Sequence, residues 1–520
     1  MEQIKTTKPL YKACAKLCTC LAMIAAGMFF GTQQAASQPA NAIPVDLRCN
    51  YQTTPLCIAS APNLSWKTQT KEKGWLQSAY RILVATSQEK LNKGRADVWD
   101  SGKTKGGTSV SILYQGQKLQ PRRSYWWKVC VWDNKGRLSK WSKPTFFETS
   151  MLTPTDWSAT WIGHTDAIGS ADLQQIKWIW LPAQNAFDVP RKTIAWFRKT
   201  LNIEHLPQTA YIQTTVRGDY ELYVNGAVID KKDKGWQSFE RQDLLPYLHK
   251  GENNIEVKVN AARTASFTRD TRKTLSGSYA GFAGILVVED HQERRTYPTS
   301  EGQWACRPDN ASNWETATVS CTLDDPRMGL SPGPLVAPAI LLRKNFVLNK
   351  PIKAARLYAT ALGSYEMFVN GQRTGEDYFT PEFTNYNKRI IYQTYDVTRL
   401  LHEGENAIGS LLGDGWYGSP LGWNGENDLF EGKSNKLIAE LHVTFTDGTT
   451  VTIPTDGSWK TAVSPILKSE IYSGEYYDAR LEQEKWNEPS FNDVHWRYAE
   501  PMGNDYTKLS PQNTVPVRAF

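Results

Sequence analysis

Two groups of side chains in this sequence have the types and spacing to do chemistry. Glu475 and Asp478 stand three apart in Ile471-Tyr-Ser-Gly-Glu-Tyr-Tyr-Asp-Ala-Arg480. Paired carboxylates can divide acid and base work when their environments push their pKa values apart. Strand residues i and i+3 point to opposite faces, although a turn at Gly474 could change that. Three roles are open to the pair: direct catalysis, contact with a sugar or a neighbouring domain, and structural hydrogen bonding, the last ranking first. The second group is aromatic. Trp416, Tyr417 and Trp423 lie in the stretch 413–435, beside Asp414, Asn424 and Asn427. Flat rings suit the apolar C–H faces of sugars, and short polar side chains suit their hydroxyls. Packing against another domain is the competing reading of the same stretch. Asp414, Trp416, Tyr417, Trp423, Asn424, Glu475 and Asp478 are therefore carried as candidate carbohydrate contacts.

Other motif matches fail on context. Gly413-Asp-Gly-Trp-Tyr-Gly418 fits G-x-G-x-x-G but lacks a βαβ setting and fills the loop with bulky rings. Gly329-Leu-Ser-Pro-Gly333 fits G-x-S-x-G, but the Pro-rich run prevents a strand–turn–helix elbow. His402-Glu403 opens like a zinc motif without its second His, and the seven His residues form no cluster. No cofactor or metal ligand set is assigned. Calcium held by loop carbonyls and carboxylates would leave little trace in sequence and stays open. Cys49/Cys57 and Cys306/Cys321 are the local pairs that could bridge, which leaves Cys130 odd.

The elements that must position these residues are strands. Short runs rich in Val, Ile, Tyr, Trp and Thr alternate with turn residues at roughly 8–12-residue spacing, as in all-β sandwiches. The 520 residues suffice for several cores, and 20 are Trp. Basic and acidic residues, 60 and 53, are well mixed, which argues against nucleic acid as the main partner. Lys5, Lys8, Lys12 and Lys16 precede the apolar run Leu21–Phe30, and Ala35-Ala36-Ser37 follows. That reads as a signal peptide over 1–37, too short for a lasting anchor, so no membrane span and export to the periplasm or outside are expected.

Residues 43–150 read as a fibronectin type III-like domain. Alternation in its strand Tyr125–Val131 puts Tyr125, Trp127, Val129 and Val131 on one face. An internal repeat follows. Trp196-Phe-Arg-Lys-Thr200, Gly218-Asp-Tyr-Glu-Leu-Tyr-Val-Asn-Gly226 and Asp243–Asn253 match Leu342-Arg-Lys-Asn-Phe346, Gly363-Ser-Tyr-Glu-Met-Phe-Val-Asn-Gly371 and Asp396–Asn406. Tyr-Glu-x-x-Val-Asn-Gly reads as a strand entering a hairpin turn. Two tandem jelly-roll-like β-sandwiches follow, at 160–330 and 339–503, with Ser331–Pro338 as linker and 504–520 opening a further domain.

The second copy carries Asp396-Val-Thr-Arg-Leu-Leu401, Gly413–Gly418, Thr455-Asp-Gly-Ser-Trp459 and Ile471–Arg480. With Val45-Asp-Leu-Arg48 and Trp178-Ile-Trp180, these residues over about 43–500 resemble the front half of a bacterial α-L-rhamnosidase. The resemblance implies an exported glycosidase that removes terminal L-rhamnose with inversion, and a carbohydrate-binding-module-like first sandwich. It places the chemistry in an (α/α)6 barrel downstream, and the chain shows no long helical region. No catalytic residue is transferred. The expected protein is a non-catalytic, carbohydrate-binding N-terminal portion that meets a rhamnose-containing glycan, its barrel missing or separately encoded. Acid–base catalysis within the sandwiches and a structural or adhesive exported protein are the alternatives.

Overall fold

The computed structural model describes residues 40–164, 170–190, 192–232, 240–261, 279–290, 293–323, 325, 328, 338–419, 435–471 and 474–519. The proposed signal peptide, Trp423, Asn424, Asn427 and nearly all of the Pro-rich linker lie outside these residues. The architecture is all-β. No helix among the described residues is long and apolar enough to cross a membrane.

The first domain packs a sheet containing Ala42–Cys49 and Asn63–Thr70 against one built on Gln77–Ala85 and Ser124–Asp133. Period-2 alternation sets its core. Tyr125, Trp127, Val129 and Val131 are all buried and pack with Trp66 and Phe147.

Each repeat copy folds as a two-sheet sandwich. In the first, Asp219–Val224, Gly251–Asn260 and Ile194–Ile203 are neighbouring strands; in the second, Ser364–Val369, Gly404–Gly413 and Ile340–Leu348 take the same order. The repeated motif encodes this local structure. Asn225 and Gly226 have φ of 52° and 81°, Asn370 and Gly371 of 50° and 81°, the two positive-φ corners of a tight hairpin. Each turn asparagine then ties down a distant loop. Asn370 Nδ2 donates to the Leu400 carbonyl (2.8 Å) and to Asn406 Oδ1 (2.8 Å), and Asn225 makes the matching bonds to Tyr247 and Asn253. Asn253 and Asn406 are fully buried with their amides bonded, so burial leaves no polar group unpaired there. Gly218 and Gly363, at φ of 137° and 135°, sit so close to the next strand's carbonyls that a Cβ would collide with them.

The cores differ in filling. The first sandwich stacks Trp180, Phe197, Phe282 and Trp304 at 5.1–5.8 Å. The second is mostly aliphatic around Leu342, Leu357, Ile408 and Leu441. Trp127, Trp161, Trp178, Trp180, Trp304 and Trp459 are all fully buried filler.

The structure corrects four expectations. The boundary at 160 is misplaced, because Ile162–Gly163 pairs with Leu437 and Lys436 in the second sandwich. The first sandwich is thus inserted into the second; a two-residue strand has no periodicity from which its sheet could be read. Residues 504–520 do not stand apart either. Leu509–Pro511 lies parallel to Ile390–Asp396, and Val517–Arg518 pairs with Asp377–Tyr378. Finally, Cys49, Cys57 and Cys306 are free thiols, so neither local bridge forms. Cys306 faces Glu315 across one sheet while Cys321 pairs with Trp178 in the other. Pairing of the strand blocks also shifts by one residue: Phe197, not Trp196, matches Leu342, since both face the core.

Candidate saccharide-contact site

Two of the aromatic candidates, Trp416 and Tyr417, sit on the helical turn Gly415–Gly418 at the end of strand Gly404–Gly413. Gly415 has φ of 50°, and a Cβ there would meet Ser364, so the turn lies directly on the sheet. That contact turns alternate side chains in and out. Asp414 is 5% exposed. Its Oδ1 accepts from Asn435 Nδ2 at 2.7 Å and its carbonyl from Gly418 N–H at 2.8 Å. Tyr417 is also buried, with its ring edge-on to Tyr386 at 5.5 Å and 89°. Burial pushes its hydroxyl pKa up. It belongs to a cluster with Met151, Trp157, Trp161, Tyr358 and Tyr392, the seam between the first domain's exit and the second sandwich. Asp414 and Tyr417 thus hold the site from beneath and offer a ligand no surface.

Trp416 is half-buried, packed on one side against this cluster. It meets Phe383 at 5.6 Å and 62°. Phe383 is 53% exposed and Phe379 57%, in a loop where Phe379 (φ 56°) and Glu382 (φ 77°) are left-handed. Glu382 fixes that loop by accepting from Gln512 Nε2 (2.6 Å) and Thr514 Oγ1 (3.0 Å). Sequence reasoning missed Phe379 and Phe383. The signal was there in Tyr378-Phe-Thr-Pro-Glu-Phe383, aromatics around a proline turn.

The carboxylates part company. Glu475 lies in the hairpin strand Gly474–Tyr477, every residue of which is exposed, opposite Ser469. Asp478 follows it and caps the turn Ala479–Leu481. Its Oδ1 accepts from the backbone N–H of Arg480 (3.1 Å), and its Oδ2 pairs with the Arg480 guanidinium at 2.5 Å. Arg480 holds the Asp478 carboxyl below its usual value, the opposite of what a proton donor requires. Arg480 in turn lies over the Tyr247 ring of the first sandwich and donates to its hydroxyl.

A cavity of about 230 Å³ lies between the sandwiches, lined by Gln208, Arg241, Asp243, Gln483, Trp496 and Arg497 among others. Burial raises the Asp243 carboxyl. Arg497, one of its lining residues, pairs with Glu289 at 2.5 Å. The cavity walls come mainly from two stretches, 208–245 and 461–497, that are more than 200 residues apart, so no sequence window showed it. Among the described residues, no group of three His, Cys, Asp or Glu side chains is placed to hold a metal ion.

Residues 350–520 match the family described as the alpha-L-rhamnosidase N-terminal domain, and residues 44–153 the one described as the Rha78A-like, N-terminal immunoglobulin domain. The α-L-rhamnosidase of Streptomyces avermitilis is 34% identical over 493 residues, covering 90% of this chain and 46% of that protein. One from Formosa agariphila is 24% identical over 474 residues, covering 90% and 35%. The crystal structure of the S. avermitilis enzyme complexed with L-rhamnose superposes with a TM-score of 0.72 at 30% identity, over 92% of this chain and 46% of that one. The enzyme from Dictyoglumus thermophilum gives 0.54 at 25%, over 90% and 35%. The chain therefore spans less than half the length of these relatives.

Proposed function

We propose that this chain, which has the sequence and fold of an α-L-rhamnosidase N-terminal region, serves as the carbohydrate-binding, non-catalytic portion of an exported enzyme acting on terminal α-L-rhamnose. The observation that carries this reading is the match along 92% of the chain to an enzyme captured with L-rhamnose. Trp416 supplies a sugar-facing ring edge, shared with Phe383, while Asp414 and Tyr417 fix its backbone from below. Glu475 offers a polar contact from the exposed hairpin, and Asp478 acts at one remove by orienting Arg480. Hydrolysis is assigned to a helical barrel outside these 520 residues, and export to the segment 1–37.

Glycan arrays with the purified chain should show selective binding to rhamnose-containing glycans. Release of rhamnose from an aryl α-L-rhamnoside by this chain alone would defeat the non-catalytic assignment. After secretion, N-terminal sequencing should begin at Gln38.

A further inference from the structure

The twin sandwiches differ on one outward sheet face. Register fixes which residues correspond. Arg198 pairs with Glu256 and Arg343 with Gly409, so those two arginines match and Glu256 stands where the second copy has Gly409. Trp196 matches Leu341, and Tyr223 matches Phe368.

In the second sandwich the chain covers this face itself. A Cβ on Gly409 would lie 2.6 Å from Trp486, so the indole rests on bare backbone. Arg343 is fully buried there. It donates to the carbonyls of Trp486 (2.8 Å) and Glu488 (2.9 Å) and meets the Asp493 carboxylate. The position thus binds a ring, two carbonyls and a carboxylate.

In the first sandwich the same arginine is only half-buried. Its guanidinium lies 4.0 Å from the centre of the Trp314 ring. Arg307 lies 5.1 Å from Trp196 and 5.0 Å from Trp314, and the Trp196 and Tyr223 rings are 5.2 Å apart. These rings come from the sheet and its rim, not from a covering segment, and Glu256 denies an indole the flat seat that Gly409 provides. Neither arginine forms an ion pair among the described residues; Arg307 donates to the carbonyls of Pro308, Asp309 and Ala311. The neighbouring acids are otherwise engaged or set aside. Glu221 is bound by Lys231 (3.1 Å) and Lys258 (3.5 Å), Asp309 accepts the Trp196 indole N–H (2.7 Å), and Glu256 forms no ion pair with Arg198.

We infer that this face of the first sandwich binds a uronate-bearing saccharide, its ring faces on Trp196 and Tyr223 and its carboxylate on Arg198 and Arg307. Stacked guanidiniums keep their N–H forks in the plane that suits a carboxylate. The inference rests on the carbohydrate-binding reading of the region and adds the site and the ligand's charge.

The test titrates the full chain against polygalacturonate, its fully methyl-esterified form, and a neutral aryl α-L-rhamnoside. Esterification should weaken binding at least about tenfold, because it removes charge-assisted hydrogen bonds and keeps the rings. The variant Arg198→Ala/Arg307→Ala should lose at least about tenfold toward polygalacturonate and keep its rhamnoside affinity. Arg198→Lys, which keeps the charge and loses the planar stack, should fall between. An unchanged melting temperature in each variant certifies the fold. Equal affinity for acid and ester overturns the inference, as does undiminished polygalacturonate binding by the double variant. So does tighter binding of an Asp- and Trp-rich peptide at the same arginines. If the wild-type chain binds polygalacturonate but no rhamnoside, the face stands and the wider reading falls.

Discussion

Removing Arg356 should damage the protein more than removing its partner Glu148. The two form a bidentate pair across the seam between the first domain and the second sandwich, at 2.7 and 2.8 Å. Their side chains are only 16% and 10% exposed. Breaking a pair so buried typically costs about 3–5 kcal/mol, most of it the penalty of stranding the surviving charge. The survivors are not equivalent. Without the arginine, Glu148 keeps, among the described residues, the Ser124 hydroxyl at 2.8 Å. Without the carboxylate, Arg356 still has Asp396 at 2.9 Å, half-exposed to water, and the Ala355 carbonyl at 3.0 Å. Arg356→Met should therefore cost about 3–5 kcal/mol, and Glu148→Gln about 1–3 kcal/mol. At roughly 2–4 °C per kcal/mol for a unit of this size, the arginine variant should melt about 10 °C below wild type. Scanning calorimetry reads this directly, and the double variant should recover part of the Arg356→Met loss because no charge is then stranded. If Glu148→Gln is the more damaging single change, or the double variant is worse than both, the seam is not a desolvated ion pair and the domain docking described above is wrong.

Glu440 predicts a pH dependence. Burial alone would raise its carboxyl, but hydrogen bonds from His442 and from the Ser158 and Ala159 backbone N–H groups outweigh burial and hold it below its ordinary value of 4.5. A folded-state value below the unfolded one adds stability above that unfolded value, lost as pH falls through the lower folded value. Melting temperatures of wild type and Glu440→Gln should differ most near neutral pH and converge in acid; a gap that widens on acidification contradicts the assignment. The aromatic turn predicts a split between neighbours. Tyr417→Ala should cost about 3–5 kcal/mol, since it empties a buried aromatic cluster. Trp416→Ala should cost less than Tyr417→Ala, because its ring is only half-buried, yet lower rhamnose-glycan affinity. Thermal melts and glycan titrations on the two variants separate the effects.

The parts of the fold set by short-range physics were legible in the sequence. Alternation alone placed Trp127, Val129 and Val131 in the first core, and Asn225-Gly226 and Asn370-Gly371 announced both hairpins, because φ preference is a property of the residue. What sequence could not give was set by which surfaces meet. Trp157 and Trp161 carry no pattern that marks a domain seam, yet they close it with Tyr392 and Tyr417. Tyr417 and Trp416 are adjacent and chemically similar, and only the turn at Gly415 decides which is buried. Asp478 looked like half of a carboxylate pair; the chain bends after Tyr477, and it became a cap for the turn that carries Arg480. Trp196 and Arg198 entered the sequence reading only as part of a repeat block, and their exposure depends on there being no covering segment among the described residues, which no local pattern reports.

Topology accounts for why one copy is sealed and its twin half-open. The second sandwich is the hub. It receives the first domain through Glu148–Arg356 and the Ser150–Tyr392 hydroxyl bond at 2.6 Å, and it takes in the linker through Glu440 and Ser158 at 2.8 Å. It also supplies both strands that flank the inserted first sandwich, Ile162–Gly163 and Ile340–Leu348. A hub needs its exposed sheet covered, since an uncovered apolar and aromatic face invites unspecific pairing; Trp486, Phe491 and Trp496 provide that cover, with Arg343 locked to Asp493 beneath them. Among the described residues the inserted sandwich is tied to the hub chiefly by Arg497–Glu289 and Arg480 on Tyr247. Its sheet is therefore not needed to hold the assembly, and the same arginine position is released from a structural carboxylate to meet one from outside.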